Sequence, residues 1–394
     1  MNARSFRWVV VLCAFTLMFV GFGAAYSFPV FFGAFEAEFG AARADVSLVF
    51  ALSASLYFVL GAPGGVLADR FGTRRVALVG VACLAVGLAA ASFARSIEML
   101  YVTYSIGLGI GIGLTYSPSV GAVQPWFDKQ RVFASGLAVS GIGFGNLIAP
   151  PLVAWAIDEL GWRGAYLALS IVALVLGGAA AAAIRNAPST ATTTSQGLSL
   201  GDAMSTRTFW MLYLATGLSG FGGFVPMVHL GRYAVDAGHP ESFGVLLVSL
   251  IGLGGLLGRV LIGVVADRLG RMRSLALMQL MMASMLMFWW ASTSWLALAL
   301  MAVGFGLAFG GYVAAFPSVV MDLFGARSVA GIIGFIYTAA GIGTLFGPTL
   351  AGAAYDATGS YSASILGAAT LALLASAVTW SVPIGAPAPA RVSR

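Results

Sequence analysis

Residues 65–75 read GVLADRFGTRR, and residues 263–273 read GVVADRLGRMR. The two stretches share glycine, aspartate–arginine and a second glycine at the same spacing, and they lie 198 positions apart. The same offset relates five further pairs: Gly143 and Gly341, Gly145 and Gly343, Pro150 and Pro348, Asp158 and Asp356, Gly161 and Gly359. So many matches in one register indicate an internal repeat, and we expect a fold built from two similar halves.

The composition is that of a protein embedded in lipid. Of the 394 residues, 60% are hydrophobic and only 9% are charged, whereas soluble domains carry about 25% charged residues. An apolar run of about 20 residues spans a bilayer. Twelve such runs are predicted, at 6–31, 44–68, 76–94, 98–124, 131–156, 163–184, 207–231, 242–266, 274–293, 295–321, 328–353 and 361–382.

The repeat and the spans together predict an all-α polytopic membrane protein of two six-helix bundles. An even number of helices per repeat keeps the halves parallel, with the substrate between them near the midplane. Residues 1–185 are expected to form the first bundle and residues 207–394 the second. The intervening 186–206, rich in Ser, Thr, Ala and Gly, are expected to be a cytoplasmic linker.

The net charge of +6 could suggest a nucleic-acid partner, but the distribution of the charges argues against one. Of the 20 Lys and Arg residues, 15 fall on the side of the N-terminus and 4 on the other. The positive-inside rule then places both termini in the cytoplasm. We expect a multi-pass protein of the plasma (cytoplasmic or inner) membrane. Its first segment is too long for a signal peptide and lacks a cleavage site.

An enzyme is not expected, and neither is a cofactor, a metal site or a catalytic residue. Cys13 and Cys83 both fall within apolar runs and indicate packing residues. The glycine clusters at 107–113 and 304–306 lie within apolar helices without a preceding strand, which favours close helix packing over nucleotide binding. No Walker sequence is present, which argues against ATP-driven transport.

Arg259 is the charge that the span pattern does not explain. It lies inside the run Phe243–Ala266, eight positions before Asp267, which is roughly 12 Å of helix. A cation at that depth normally faces a cavity or a partner, and a guanidinium matches a carboxylate in a bidentate pair. No Asp or Glu lies in the interior of a span, so a bound anion would supply the counter-ion. The alternative is a structural arginine bonded to helix carbonyls.

The motif at 65–75, between the second and third spans, resembles the signature of the major facilitator superfamily. Its recurrence at 263–273 extends the resemblance over the whole chain. Asp69, Arg70, Asp267 and Arg268 are the gate and signature residues that the resemblance implies. Substrate binding by Asp69 is the alternative, and its place at the membrane edge disfavours it.

A second resemblance narrows the family. Residues 126–141, WFDKQRVFASGLAVSG, resemble the entry to the fifth helix of the monocarboxylate transporters and the related oxalate/formate carriers. The stretches GWR at 161–163, VPMVHL at 225–230 and GRVLIG at 258–263 resemble the same group. The resemblance implies carriage of lactate, pyruvate or similar acids, often with a proton.

Further candidate substrate contacts are polar or aromatic residues within the spans. Tyr116 and Tyr312 each precede a proline in the same helix, where a bend can line a cavity, and ordinary packing is their alternative. The remaining candidates are Tyr26 and Tyr337 as further phenols, Phe28 and Phe316 as an apolar wall, and Asn146 as an amide. Lipid contact or core packing is the alternative for each phenylalanine. A buried amide needs a partner, and an interhelical hydrogen bond is the alternative for Asn146.

His229 is the candidate proton carrier because histidine titrates in the physiological range; a satisfied interfacial histidine is the alternative. The chain departs from the better-known animal proton-coupled members at Val30, where they carry lysine, and at Gly255, where they carry an acid. The second cation of the oxalate carriers has no counterpart in 328–353. One fixed cation suits a monoanion better than a dianion.

The sequence hypothesis is therefore a symporter that carries a short monocarboxylate such as L-lactate or pyruvate with H⁺ by alternating access. We expect the monomer to be functional, with the substrate, the proton and the lipid bilayer as its partners. An anion exchanger of the oxalate/formate kind and a non-transporting membrane receptor are the alternatives.

Overall fold

A computed structural model describes residues 3–127, 131–185, 197–325 and 327–383 of the chain. These residues are almost entirely helical, and their one β-bridge joins Gly197 to Gly325. The helices are α1 (Ala3–Tyr26), α2 (Phe32–Phe39), α3 (Arg43–Phe71), α4 (Thr73–Ala91), α5 (Ile97–Leu100), α6 (Ile106–Val123), α7 (Arg131–Val172), α8 (Gly178–Ala183), α9 (Leu200–Met204), α10 (Arg207–Gly223), α11 (Val225–Asp236), α12 (Glu241–Leu269), α13 (Arg271–Ala291), α14 (Trp295–Phe324), α15 (Val329–Thr358) and α16 (Ser362–Trp380).

Several of these helices join into longer transmembrane segments. A 3-10 turn over Phe28–Phe31 connects α1 to α2, and π-helical turns connect α5 to α6 and α7 to α8. Eleven stretches of the described chain are long and apolar enough to cross a membrane. One of them, Ala134–Ala183, contains a break at Gly161, where φ is 70°. It therefore supplies two crossings, and the prediction of an all-α fold with twelve spans is confirmed.

The first span differs from its prediction. The sequence indicated one apolar run over 6–31, but α1 ends at Tyr26 and the segment continues through the 3-10 turn to Phe39. Pro29 lies at the start of that turn, and proline has no N–H to extend an α-helical ladder. The run thus bends where proline interrupts it and resumes as α2.

The backbone repeats at the sequence offset. Gly72 and Gly270 end α3 and α12 with φ of 86° and 84°, and Gly161 and Gly359 have φ of 70° and 67°. L side chains rarely adopt these conformations, whereas glycine adopts them at little cost. The repeated glycines therefore mark the same helix ends in each half.

The helix ends define two faces of the molecule. The start of α1, the end of α16 and the turns at Gly72 and Gly270 lie at one end, here called the terminal face. The connections that precede α3, α12 and α16 lie at the other end, here called the distal face. We call the helices before residue 186 the first half and those after residue 196 the second half.

Two helix pairs join the halves: α3 packs on α15, and α7 packs on α12. Glycines allow the close approach. A Cβ at Gly352 would lie 2.7 Å from the backbone nitrogen of Ala44, and one at Gly252 would lie 2.6 Å from the backbone of Asn146. Small residues at such crossings are the usual means of close packing between membrane helices.

The chain just before the second half is attached to it. The Leu198 N–H donates to the carbonyl of Phe324 at 2.8 Å. Ser199 caps α9 and forms a capping box with Asp202; hydrogen bonds from Ser199 lower the pKa of that exposed carboxyl. Residues 186–196 of the predicted linker lie outside the described residues, and the division at 186–206 stays a prediction.

We predict that Gly270→Ala destabilises the protein and Gly367→Ala does not. Neither added methyl group would meet an atom within 4 Å, but only Gly270 has a positive φ. The cost of forcing alanine into that conformation is about 1–3 kcal/mol, while alanine in the helix at 367 is favourable. Thermal unfolding of the two variants in detergent tests this, and equal midpoints would contradict it.

Candidate functional site

Arg259 lies on α12 where that helix packs against α7 of the other half. A Cβ at Gly143 of α7 or at Gly255 of α12 would come within 3.2 Å of its Nη1. The guanidinium is thus flanked by two positions without side chains. Its Nε is buried and has no hydrogen-bond partner among the described side chains. The structural alternative, an arginine satisfied by helix carbonyls, is not what the described contacts show.

A small cavity lies against this guanidinium. Its volume is about 10 Å³, close to the space one water molecule needs. The lining residues come from five helices and include Tyr26, Asn146, Met227, Gly255, Arg259 and Phe309. Both halves contribute to the lining, so the cavity lies at the contact between them. A three-carbon acid fits only if the halves separate.

Asn146 brings a second unpaired polar atom to the same cavity. Its side chain is buried, and its Oδ1 has no hydrogen-bond partner in the described part of the chain. Buried polar atoms without partners are rare in folded proteins. The interhelical hydrogen bond considered for Asn146 is therefore not made by Oδ1, which is left available beside Arg259.

Tyrosines extend from the cavity toward the second half. Tyr26 and Tyr116 are near enough to Arg259 to interact with it electrostatically, and the ring of Phe22 touches both tyrosines. Tyr57 lies beside Tyr26 and was not among the sequence candidates. Tyr26 and Tyr116 thus place phenol groups, not carboxylates, near the cation.

Tyr312, Tyr337 and Phe316 form a neighbouring aromatic group. Phe316 stacks on Tyr337 at 5.3 Å between ring centroids and contacts Tyr312 at 6.0 Å. The hydroxyl of Tyr312 donates to Oγ1 of Thr216 at 3.4 Å. Tyr337 is close enough to both Tyr116 and Tyr312 to link this group to the first electrostatically. None of the three lines the cavity at Arg259.

Phe28 lies elsewhere. It is fully buried and packs its ring against Phe35, Phe50 and Tyr104 of the first half. It does not line the cavity at Arg259. Its part in an apolar wall around substrate stays a prediction.

The signature residues lie at the terminal face, away from the cavity. Asp69, Arg70 and Arg268 are exposed, and Asp69 forms no ion pair with a described side chain. The side chain of Asp267 lies outside the described residues. The exposed ion pair of this face joins Arg271 at the start of α13 to Asp322 near the end of α14, at 2.6 Å.

A charged cluster joins the halves at the distal face, here called the distal network: Glu36, Arg43, Arg232, Asp236 and Tyr361. Arg43, only 7% exposed, donates from both Nη atoms to Asp236 at 2.5 and 2.9 Å and from Nε to Glu36 at 3.1 Å. Arg232 contacts Glu36 at 2.8 Å. Both Arg43–Asp236 and Arg232–Glu36 cross between the halves, so this face is held shut by paired charges.

Other groups complete the surroundings of Arg43. Its guanidinium stacks over the ring of Tyr355 at 3.8 Å and donates to the Tyr361 hydroxyl at 2.8 Å. The backbone N–H groups of Arg43 and Ala44 donate to the Asp356 carboxylate at 3.1 and 2.9 Å. A carboxylate at a helix N-terminus is favourable, so Asp356 also fixes the start of α3 to α15.

His229 lies directly beneath the distal network and is fully buried. Its Nδ1 is 3.2 Å from the Tyr361 hydroxyl, and its Nε2 is 2.8 Å from the Pro348 carbonyl oxygen and 3.2 Å from Ser47 Oγ. Both ring nitrogens therefore have partners, as in a satisfied histidine. The structure does not bring His229 to the cavity at Arg259.

The distal network was not predicted from the sequence, where Arg43 and Arg232 are two of the four basic residues on the side away from the N-terminus. One signal was present: His229, Arg232 and Asp236 are spaced three and four residues apart, which puts them on one face of a helix. Their partners on α2, α3 and the turn before α16 have no such local signal.

Comparisons with known proteins agree with this architecture. The family model of the Major Facilitator Superfamily matches residues 11–278 and 212–394. A crystal structure of a bacterial homolog of the human lysosomal transporter Spinster, inward-facing and occupied, superposes with a TM-score of 0.77 at 16% identity. It covers 96% of this chain and 97% of its own. That likeness concerns the fold.

Relatives identified by sequence similarity define the family within the superfamily. Monocarboxylate transporter 13 of Rattus norvegicus is 31% identical over 382 residues, which is 95% of this chain and 89% of the relative. Monocarboxylate transporter 11 of Mus musculus is 30% identical over 399 residues, 96% of this chain and 88% of the relative. The chain is thus a multi-pass membrane transporter that belongs to the major facilitator superfamily and, within it, to the monocarboxylate transporter family.

Proposed function

We propose that this transporter carries a short monocarboxylate such as L-lactate or pyruvate together with a proton, as a symporter that works by alternating access. The observation that carries the proposal is the buried Nε of Arg259, which has no hydrogen-bond partner in the described part of the chain and lies beside a cavity between the two halves. An uncompensated buried cation costs several kcal/mol. A carboxylate placed there would neutralise the charge and accept its hydrogen bonds.

The surroundings favour one negative charge and a small substrate. Arg259 is the cation at the cavity, and the remaining lining is aromatic, aliphatic or uncharged polar. A dianion would leave one charge unpaired away from water. Asn146 Oδ1 is positioned to accept a hydrogen bond, which a substrate hydroxyl can donate.

The place of the cavity at the contact between the halves supports alternating access. Arg259 of α12 and Gly143 of α7 meet across the contact between the halves, so a rocking motion of the halves opens the site. The distal network holds one exit shut. We propose that the distal face is the outer one, that both termini are cytoplasmic, and that the protein works as a monomer in the cytoplasmic membrane. Of the 20 Lys and Arg residues, 15 favour that orientation.

His229 is the proposed proton carrier. It is a buried histidine, and it contacts the network that closes the distal face. The acid that animal proton-coupled relatives carry one turn before the span-eight arginine is glycine here, at Gly255. The proton therefore needs another site, and histidine is the side chain that titrates near neutral pH.

An imposed pH gradient tests the coupling. We expect labelled L-lactate to accumulate in proteoliposomes when the outside is acidic, above the level of gradient-free vesicles. An exchanger of the oxalate/formate kind would instead need a counter-substrate inside and ignore the gradient. Ligand binding without flux under either condition would favour a receptor.

Replacement of Arg259 tests the site. We expect Arg259→Ala to lose uptake. Arg259→Lys keeps the charge but loses the bidentate fork, so its uptake at low substrate concentration should fall by on the order of tenfold to a hundredfold. Because the cation has no partner, Arg259→Ala should unfold at the same or a higher temperature without substrate. It should also lose the rise in thermal midpoint that lactate gives the wild type. Wild-type uptake by Arg259→Ala would remove the residue from the site.

Gly255 offers a matched pair of variants. A side chain there begins 3.2 Å from Nη1 of Arg259. We expect Gly255→Asp to pair with the guanidinium and compete with substrate, whereas the isosteric Gly255→Asn has no charge to do so. The apparent KM for lactate should therefore rise more in the aspartate variant. Equal values would mean that substrate does not meet the guanidinium on this side.

A further inference from the structure

Hydrogen-bond directions in the distal network specify the proton positions on His229. Ser47 donates its hydroxyl hydrogen to the carbonyl of Arg43 at 2.6 Å, so its oxygen acts toward His229 as an acceptor. The Pro348 carbonyl also only accepts. Nε2 therefore carries hydrogen, and in the neutral ring Nδ1 is the acceptor.

The partner of Nδ1 is Tyr361, which also contacts Arg43. An arginine only donates, so Tyr361 accepts from Arg43 Nη1 at 2.8 Å. Its own hydrogen is then free to point to His229 Nδ1 at 3.2 Å. The result is a chain with one direction, from Arg43 through Tyr361 and His229 to the Pro348 carbonyl, and every donor in it has an acceptor.

A second proton on His229, which binds to Nδ1, disrupts this chain of hydrogen bonds. Nδ1–H and Arg43 would then both point at the Tyr361 oxygen, and the hydroxyl hydrogen would lose its acceptor. Two cations would also face one neutral phenol. The contact that yields is the one between Arg43 of the first half and Tyr361 of the second, because Nη1 of Arg43 keeps Asp236 as an acceptor, whereas Tyr361 is the described partner of His229 Nδ1.

The charged and titratable groups around His229 come from every neighbouring element. They are Arg43 on α3, Glu36 on α2, Arg232 and Asp236 on α11, Asp356 on α15 and Tyr361 before α16. In the closed face the Arg43 guanidinium is paired with Glu36 and Asp236, and Asp356 accepts from the backbone N–H groups of Arg43 and Ala44. An added positive charge on His229 therefore meets repulsion from Arg43 and attraction from Asp356, and the carboxylates that hold Arg43 are already engaged.

We propose that Tyr361 is the positioning residue that couples protonation of His229 to opening of the distal face. A proton on His229 weakens the Arg43–Tyr361 contact and shifts the carrier toward the form open at that face. By reciprocity, the open form binds the proton more tightly and closure releases it. This inference rests on the proposed proton-coupled transport, and it assigns the coupling to the gate instead of the substrate cavity.

The separation of the halves can be measured with spin labels on two loops of the distal face. Arg95 and Thr293 are exposed, lie outside the distal network, and are equivalent positions of the repeat, 198 residues apart. Cysteines are placed there after Cys13 and Cys83 are replaced, and distance distributions are recorded by double electron–electron resonance in lipid nanodiscs without substrate.

In the parent protein, the long-distance population should grow as the pH falls from ~8 to ~5, the range in which histidine titrates. We expect an increase on the order of tenfold, which is what the loss of one hydrogen bond to a charged group would allow. His229→Gln should remove this response because it takes up no proton. Tyr361→Phe should remove it while leaving His229 in place. Tyr355→Phe is the matched control: it deletes a hydroxyl from the ring that stacks under Arg43 and should respond like the parent.

A parent protein without the pH response, or a Tyr361→Phe protein that keeps it, overturns the proposal. If Tyr361→Phe does not fold, His229→Gln decides: a retained response would place the proton on Glu36 or Asp236 and overturn it equally. Lactate uptake measured in liposomes separates the two proposals. Gradient-driven uptake without a pH-dependent distance refutes the gate coupling alone, and a pH-dependent distance without uptake refutes the proposed transport alone.

Discussion

A cation without a counter-ion among the described side chains, placed at the contact between the two halves of the protein, is the constraint on which the rest of the structure depends. Water solvates an exposed guanidinium, but the buried Nε of Arg259 has no partner, and such a charge is costly. The fold makes room for it with glycines at 143 and 255. It surrounds the charge with phenols instead of carboxylates. An anion bound there would pair with this charge, which is the role proposed for the substrate.

The distal face has the opposite arrangement. There Arg43 satisfies its donors with Asp236, Glu36 and Tyr361, and stacks on Tyr355. Paired charges hold the halves together at one end, while the unpaired charge lies at the cavity between them. The two halves bear both sites, so the rocking motion proposed for transport would move the two sites together. In that proposal, binding at Arg259 and breakage of the distal pairs are two events of one motion.

The sequence predicted the architecture well for a physical reason. Hydropathy and loop charge depend on short segments of the chain, and the repeat depends on a constant offset of 198 residues, so all three can be read directly from the sequence. Arg259 was found in the same way, because its depth in a helix follows from its distance to the next charge. The sequence left Phe28 between an apolar wall and core packing because aromatic positions look alike in sequence, and only the packing shows its ring against Phe35, Phe50 and Tyr104.

The sequence by itself determined that this chain is a helical membrane transporter with a repeated signature and one deep arginine, since those properties need no knowledge of distant partners. Only the tertiary structure decided which charges are paired. Arg43 and Arg259 are the same residue type, each in a span of 29 residues. Arg43 meets Tyr361, 318 positions away, whereas the Nε of Arg259 meets no acceptor among the described side chains. That difference arises because helix packing, not sequence proximity, selects the neighbours of a buried charge.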